Sequence, residues 1–279
     1  MSRPLSLDDF RAVRIVLEDE DFALVEEGPE GPPTDLIEQE VWNGIVTLPD
    51  DVAVRTSSHC GQLLRVLSQH WTVWVFAMDS VEGPIGEAML DAADEFRAAT
   101  FNVLHGYYRQ ACGCLRNALE VITTAAASQV SGRADVLGKW QQGELGFGSA
   151  CDVLQSAPSL DSLRKGLAKD PGDSMFDQKT KASSGGWARR LYSTLSGFEH
   201  SSPTCRNGDM WQSNGPVFAP RAFRETASVF IEVSSLCFLL VKAAFPPFSF
   251  PDEARAITEA ELIGTSPIAV AAHQHLFGR

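Results

Sequence analysis

The stretch 106-GYYRQACGCLRNALEVITTAAASQV-130 decides the fold, because its only charged side chains are Arg109, Arg116 and Glu120. At 3.6 residues per turn those three fall within about 40° of one another, one polar stripe on a rod that is otherwise apolar nearly all round. A helix of that kind belongs in an interior. Tyr108, Ala111, Leu115, Ala118, Leu119 and Ile122 carry its packing face, and "SGR" from Ser131 closes it. Charges on a buried helix must be paired, so Arg116 and Glu120, one turn apart, are expected to meet each other or another polar group.

The neighbouring segments repeat the helical period. Leu63, Leu64, Leu67, Trp71, Trp74, Val75 and Met78 recur at three- and four-residue steps. After "EGPIG", Pro84 opens a second helix marked by Ile85, Met89, Ala93, Phe96, Thr100 and Val103. "ADVLGKW", "GSACDVLQ" and "SLDSLRKGLAK" read as short helices, the last capped by Ser159, while "GELGFGSA" reads as a turn. Trp187, Leu191, Leu195 and Phe198 align on another helix. Pro220 or Arg221 to Phe245 is a last long one, with only Glu232 and Lys242 charged after Ala227. Two charges in that run and the "FPPF" breaker behind it argue for a buried helix over a membrane span. A short helix is expected at 252–262, with His273 and His275 exposed near the end of the chain.

The first 56 residues differ. "RAVRIVLEDEDFALVEEG" alternates as a strand pair does, "GPEGPP" breaks it, and "GIVTLPDDVAVR" offers another short strand or two around Pro49. Of a net charge of −13, residues 1 to 60 hold four basic against fourteen acidic groups, a balance of −10, which leaves −3 for the remaining 219. The expected architecture is therefore mainly α: a multi-helix bundle over 57–279, preceded by an acidic N-terminal arm over 1–56 with a little β structure. The most basic segment, 164 to 190, carries seven basic and three acidic residues.

Six Cys (60, 112, 114, 151, 205, 237) show no zinc-ligand spacing and read as buried thiols. The N-terminus lacks the basic stretch and apolar run of a secretory signal, which points to the cytoplasm. Phosphate-loop, nucleophile-elbow, zinc-pair and dinucleotide motifs do not occur. No metal or other cofactor is expected, and no membrane partner.

The candidate chemistry sits where two helices can face each other. Tyr192, Ser196 and His200 are spaced i, i+4, i+8, and packing of their helix on the one carrying Arg116 and Glu120 would let all five converge. A Glu beside a His sets the imidazole tautomer, and an Arg steadies an anion. Beyond His200 a polar loop follows with Arg206, Asn207, Asp209 and Trp211, long for a plain connection. A satisfied ion pair facing a tyrosine hydroxyl is the structural alternative.

Arg116-Asn-Ala-Leu-Glu120, "LYSTLSGFEH" (191–200) and "DMWQSNGPVF" (209–218) before a final apolar helix resemble a group of uncharacterised bacterial helical proteins, and more distantly the HEPN superfamily of helical bundles. That resemblance implies an RNA-directed effector of bacterial stress or phage defence, in which His200 acts as acid or base. Arg206 and Arg116 would steady a phosphate, and Glu120 or Tyr192 would orient the site. Asn207, Trp211 and Ser196 would contact the substrate, in a homodimer. The order of the HEPN RNase motif is reversed here, with His200 six residues before Arg206-Asn207. A non-catalytic helical scaffold or protein-interaction module is the other reading.

Overall fold

In a computed structural model the 106–130 stretch is a helix wrapped on most sides by others, as its near absence of charge requires. The structure describes residues 37–78, 80–133, 135–167, 174–178, 180, 185–199, 215–250 and 267–277. Contacts divide the chain between Val46 and Thr47. In the first unit the described residues form a short helix α1 (Gln39–Trp42), in which Gln39 Nε2 donates to Asn43 Oδ1 at 2.9 Å. A π-helical turn spans Asn43–Thr47.

The second unit contains α2 (Leu48–Met78), α3 (Pro84–Leu104), α4 (Tyr108–Ser131), α5 (Asp135–Gln141) and α6 (Phe147–Ser156), then a 3-10 turn (Pro158–Leu160) and α7 (Asp161–Leu167). It continues with α8 (Trp187–Glu199), α9 (Pro220–Ala244) and α10 (Pro267–Phe277). It is a helical bundle, and no strand occurs among the described residues.

α4 is the axis, packing on α3, α9, α6, α8 and α5. Its C-terminus is closed by Gly132 in the left-handed region (φ 66°), with Gly132 N donating to Gln129 O and Arg133 N to Ser128 O. Those two bonds satisfy carbonyls that the helix end leaves open. α2 and α3 run antiparallel, since Trp74 stacks on Phe96 at 5.2 Å and Arg97 lies over the Trp71 ring at 5.6 Å. α9 runs parallel to α2, with His70 against Phe230 and Trp74 Nε1 donating to Ser234 Oγ at 3.0 Å. Trp74 also stacks on Phe238 at 4.2 Å, and Phe248 and Phe250 continue that aromatic cluster beyond the Pro246-Pro247 break. α9 is the one described helix long and apolar enough to cross a membrane, and 67% of its most apolar window is buried within the protein.

Two sequence expectations change. Residues 44–55, expected as strand, are the π-turn and the first part of α2. Pro49 with Asp50 and Asp51 forms a helix start that suits the macrodipole, and the buried face runs Val52, Thr56, Cys60 at helical spacing. The part of the arm reading on residues 1–36 lies outside the described residues, as does the helix expected at 252–262. Second, Ser159 sits inside the 3-10 turn, whose N-cap position is Ala157, and makes no capping bond. The C-terminal stretch forms α10, on which His275 is exposed as expected.

Two glycines hold loops against the bundle. Gly106 (φ 80°) turns the chain between α3 and α4, where an added Cβ would stand 2.4 Å from Val217 O. The segment before α9 therefore lies directly on this turn, and Ala219 N donates to Tyr108 Oη at 3.1 Å. Gly186 precedes α8, and its Cβ would meet Phe176 N at 2.5 Å. There Trp187 N and Ala188 N donate to Ser174 O and Met175 O, so residues 174–177 satisfy the open N–H groups of that helix end.

Candidate functional site

α8 lies antiparallel on α4, so the polar stripe of α4 confronts α8 as the charge pattern requires. Near one end Arg109 Nε donates to Phe198 O at 2.5 Å. Two turns along α4, Arg116 Nη2 donates to Tyr192 Oη at 2.7 Å and to Glu120 Oε1 at 3.3 Å. Tyr192 Oη donates in turn to Glu120 Oε1 at 2.5 Å. The three groups form a closed triangle in which the phenol uses its one proton on the carboxylate and accepts from the guanidinium. The side chains of Arg116 and Glu120 are each 18% exposed.

Ring contacts hold the triangle in place. The Arg116 guanidinium carbon lies 4.9 Å from the centre of the Tyr192 ring, and Phe147, the first residue of α6, stacks on Tyr192 at 4.1 Å and 7°. Burial pushes the Tyr192 phenol above its usual value, and the hydrogen bond to Glu120 adds to that shift, partly offset by Arg116. A phenol held upward in this way is a poor proton donor or acceptor near neutral pH.

The structure thus brings together Arg116, Glu120 and Tyr192. Ser196 follows one turn along the same side of α8 and places a buried Oγ with no hydrogen-bond partner. His200, Arg206, Asn207 and Trp211 lie outside the described residues. Phe147 was missed as a site residue because "GELGFGSA" reads as a glycine-rich turn. Arg189 was missed too: it donates to Phe176 O at 2.8 Å, Gly148 O at 2.9 Å and Asp152 Oδ1 at 2.5 Å, joining α8 to α6 and the 174–178 segment. Its signal in the sequence was only its place in a basic segment.

No group of three or more His, Cys, Asp or Glu that can hold a metal occurs among the described residues. Of the two neighbouring thiols, Cys112 is buried as expected, whereas Cys114 is only half-buried, with Asn102 Nδ2 at 3.7 Å from its sulfur. Burial pushes both thiols up to about 12.

Fold and site together define a helical bundle with an Arg-Glu-Tyr clamp between two of its helices. Comparison of the chain with protein-family models, with curated proteins and with solved structures returns no match.

Proposed function

We propose that the protein is a non-catalytic helical scaffold that presents its bundle surface to a protein partner. The closed Arg116–Glu120–Tyr192 triangle carries this reading. A guanidinium already neutralised by Glu120 and bonded to Tyr192 is poorly placed to take a substrate phosphate, and a phenol tied to a carboxylate is poorly placed to move a proton. Both groups instead fix the packing of α8 on α4. Exposed Phe76, Leu90 and Phe101 on α2 and α3 supply apolar surface of the sort partners use.

Replacing Glu120 by Gln and Tyr192 by Phe tests the clamp. Each variant is expected to lose about 1–3 kcal/mol of stability in urea unfolding, with no change in the binding of a labelled single-stranded RNA measured by fluorescence anisotropy at low salt. A second reading, an RNA-directed effector, is supported by the buried, partnerless Ser196 Oγ one turn from Tyr192 on α8. RNA cleavage by the purified chain, lost in a folded His200→Ala variant, establishes that reading and overturns the scaffold.

A further inference from the structure

The exposed positions of α3 form a single stripe. Glu87, Leu90, Asp91, Asp94, Arg97 and Phe101 all face out, and at 3.6 residues per turn they fall within an arc of about 120°. Leu90 is 54% exposed and Phe101 60%. The two lie close to one line along the helix, about three turns or ~16 Å from each other. Glu87, Asp91 and Asp94 stand among them, and none of the three makes a hydrogen bond or ion pair among the described residues. Exposed acids elsewhere do find partners: Asp51 meets Arg55 at 2.8 Å, Asp135 meets Lys139 at 2.8 Å and Glu225 meets Arg221 at 2.9 Å. The stripe's single base, Arg97, is turned onto the Trp71 ring of α2 at 5.6 Å. Three carboxylates and two large apolar side chains are therefore left to solvent on one face.

We propose that this face of α3 docks a basic amphipathic helix of a partner protein, an identification that rests on the scaffold reading and gives its partner a chemistry. Leu90 and Phe101 call for apolar residues at matching spacing, and the carboxylates between them call for Lys or Arg beside those residues. Each acid is available, because no side chain of this chain neutralises it. A second copy fits the face poorly: each chain carries −13 and would bring like charge to like. The same charge opposes nucleic acid and anionic lipid. Two anchors on one helix make a small contact, which sets the affinity on the order of 10–100 μM at low salt.

The test is fluorescence anisotropy of the full chain with a labelled helical peptide of about 18 residues, built from Leu on one face with Lys and Ala on the other, and with its counterpart carrying Glu for Lys. Saturable binding of the Lys peptide alone is expected, weakening as salt is raised. The variant Glu87→Gln/Asp91→Asn/Asp94→Asn should bind it about tenfold more weakly, and Leu90→Ala and Phe101→Ala should each cost about fivefold or more, all with the melting temperature unchanged. Neutralising as many acids elsewhere, in Glu38→Gln/Glu40→Gln/Glu144→Gln, should change binding by about twofold at most, as general charge does. Equal losses in the two triple variants, or binding that Leu90→Ala and Phe101→Ala leave unchanged, would overturn the proposal. So would a dimer in sedimentation that the α3 triple variant dissociates, since a second copy would then cover the face. Absence of saturable Lys-peptide binding by a chain that cleaves no RNA overturns the partner class alone, whereas RNA cleavage lost in folded His200→Ala overturns the scaffold reading beneath it.

Discussion

Lowering the pH from 7 to 5 should destabilise this protein through one imidazole. His70 is fully buried on α2, edge-on to Phe230 at 6.0 Å, and neither ring nitrogen has a hydrogen-bond partner. Burial pushes it from 6.5 down to about 3. At pH 7 the ring is neutral in both the folded and the unfolded chain. Below about 6.5 the unfolded chain takes up a proton that the folded one refuses, so stability falls as pH falls, and the loss stops accumulating near 3. Each pH unit inside that window is worth ~1.4 kcal/mol, so the step from 7 to 5 should remove roughly 2 kcal/mol, a sizeable share of a typical 5–15 kcal/mol. Carboxylates also titrate in this range, and the comparison with His70→Met cancels them. Methionine fills a similar volume and adapts to irregular gaps, and removing two unpaired ring nitrogens should leave stability at pH 7 level or about 1 kcal/mol higher. Urea unfolding followed by tryptophan fluorescence at both pH values gives four midpoints. Wild type should lose about 2 kcal/mol more than the variant; equal losses would refute a neutral, partnerless imidazole in the core.

The Gly106 turn should not tolerate a side chain. Gly106→Ala is expected to lower stability by about 2 kcal/mol or more, from positive φ and the close approach of Val217, and an unchanged urea midpoint would mean that the segment before α9 does not rest there. Alkylation at pH 8 with peptide mapping should leave Cys112, Cys151 and Cys237 unmodified in the native protein and modified in urea, because burial raises all three thiols and excludes reagent. Rapid native labelling of Cys237 would place α9 outside the core.

The helical body was legible wherever apolar residues kept a 3.6 period, as in Ile85, Met89, Ala93 and Phe96, all buried on α3. The Arg116–Glu120–Tyr192 meeting was legible too, because a charge on a buried helix has to be paired and Tyr192 shares a face with Leu195 and Ser196. The start of α2 was not. Its inward positions after Val52 are Thr56 and Cys60, which add little to an apolar pattern, whereas Val52 and Val54 alternate like a strand, and the Pro49-Asp50-Asp51 helix start went unread. His70 was passed over for a related reason. The apolar pattern drew attention to Trp71, but the deepest line of the helix runs Leu67, His70, Trp74, Ala77, and an imidazole scores as polar.

The polar groups inside this bundle differ in whether their hydrogen-bonding capacity is used, and that difference separates structure from chemistry. Arg116, Glu120 and Tyr192 hydrogen-bond to one another, so the energy of those bonds goes into holding two helices in register. Lys242 donates to the carbonyls of Pro246 and Phe248, so its ammonium ties the chain beyond α9 back to the last turn of that helix. His70 satisfies nothing. A neutral imidazole with two unpaired nitrogens in a closed apolar setting has neither a partner to set its tautomer nor access for a substrate, and its consequence is confined to stability below pH 6.5. The clamp and the Lys242 bonds thus hold elements of the fold together, while His70 acts on stability alone.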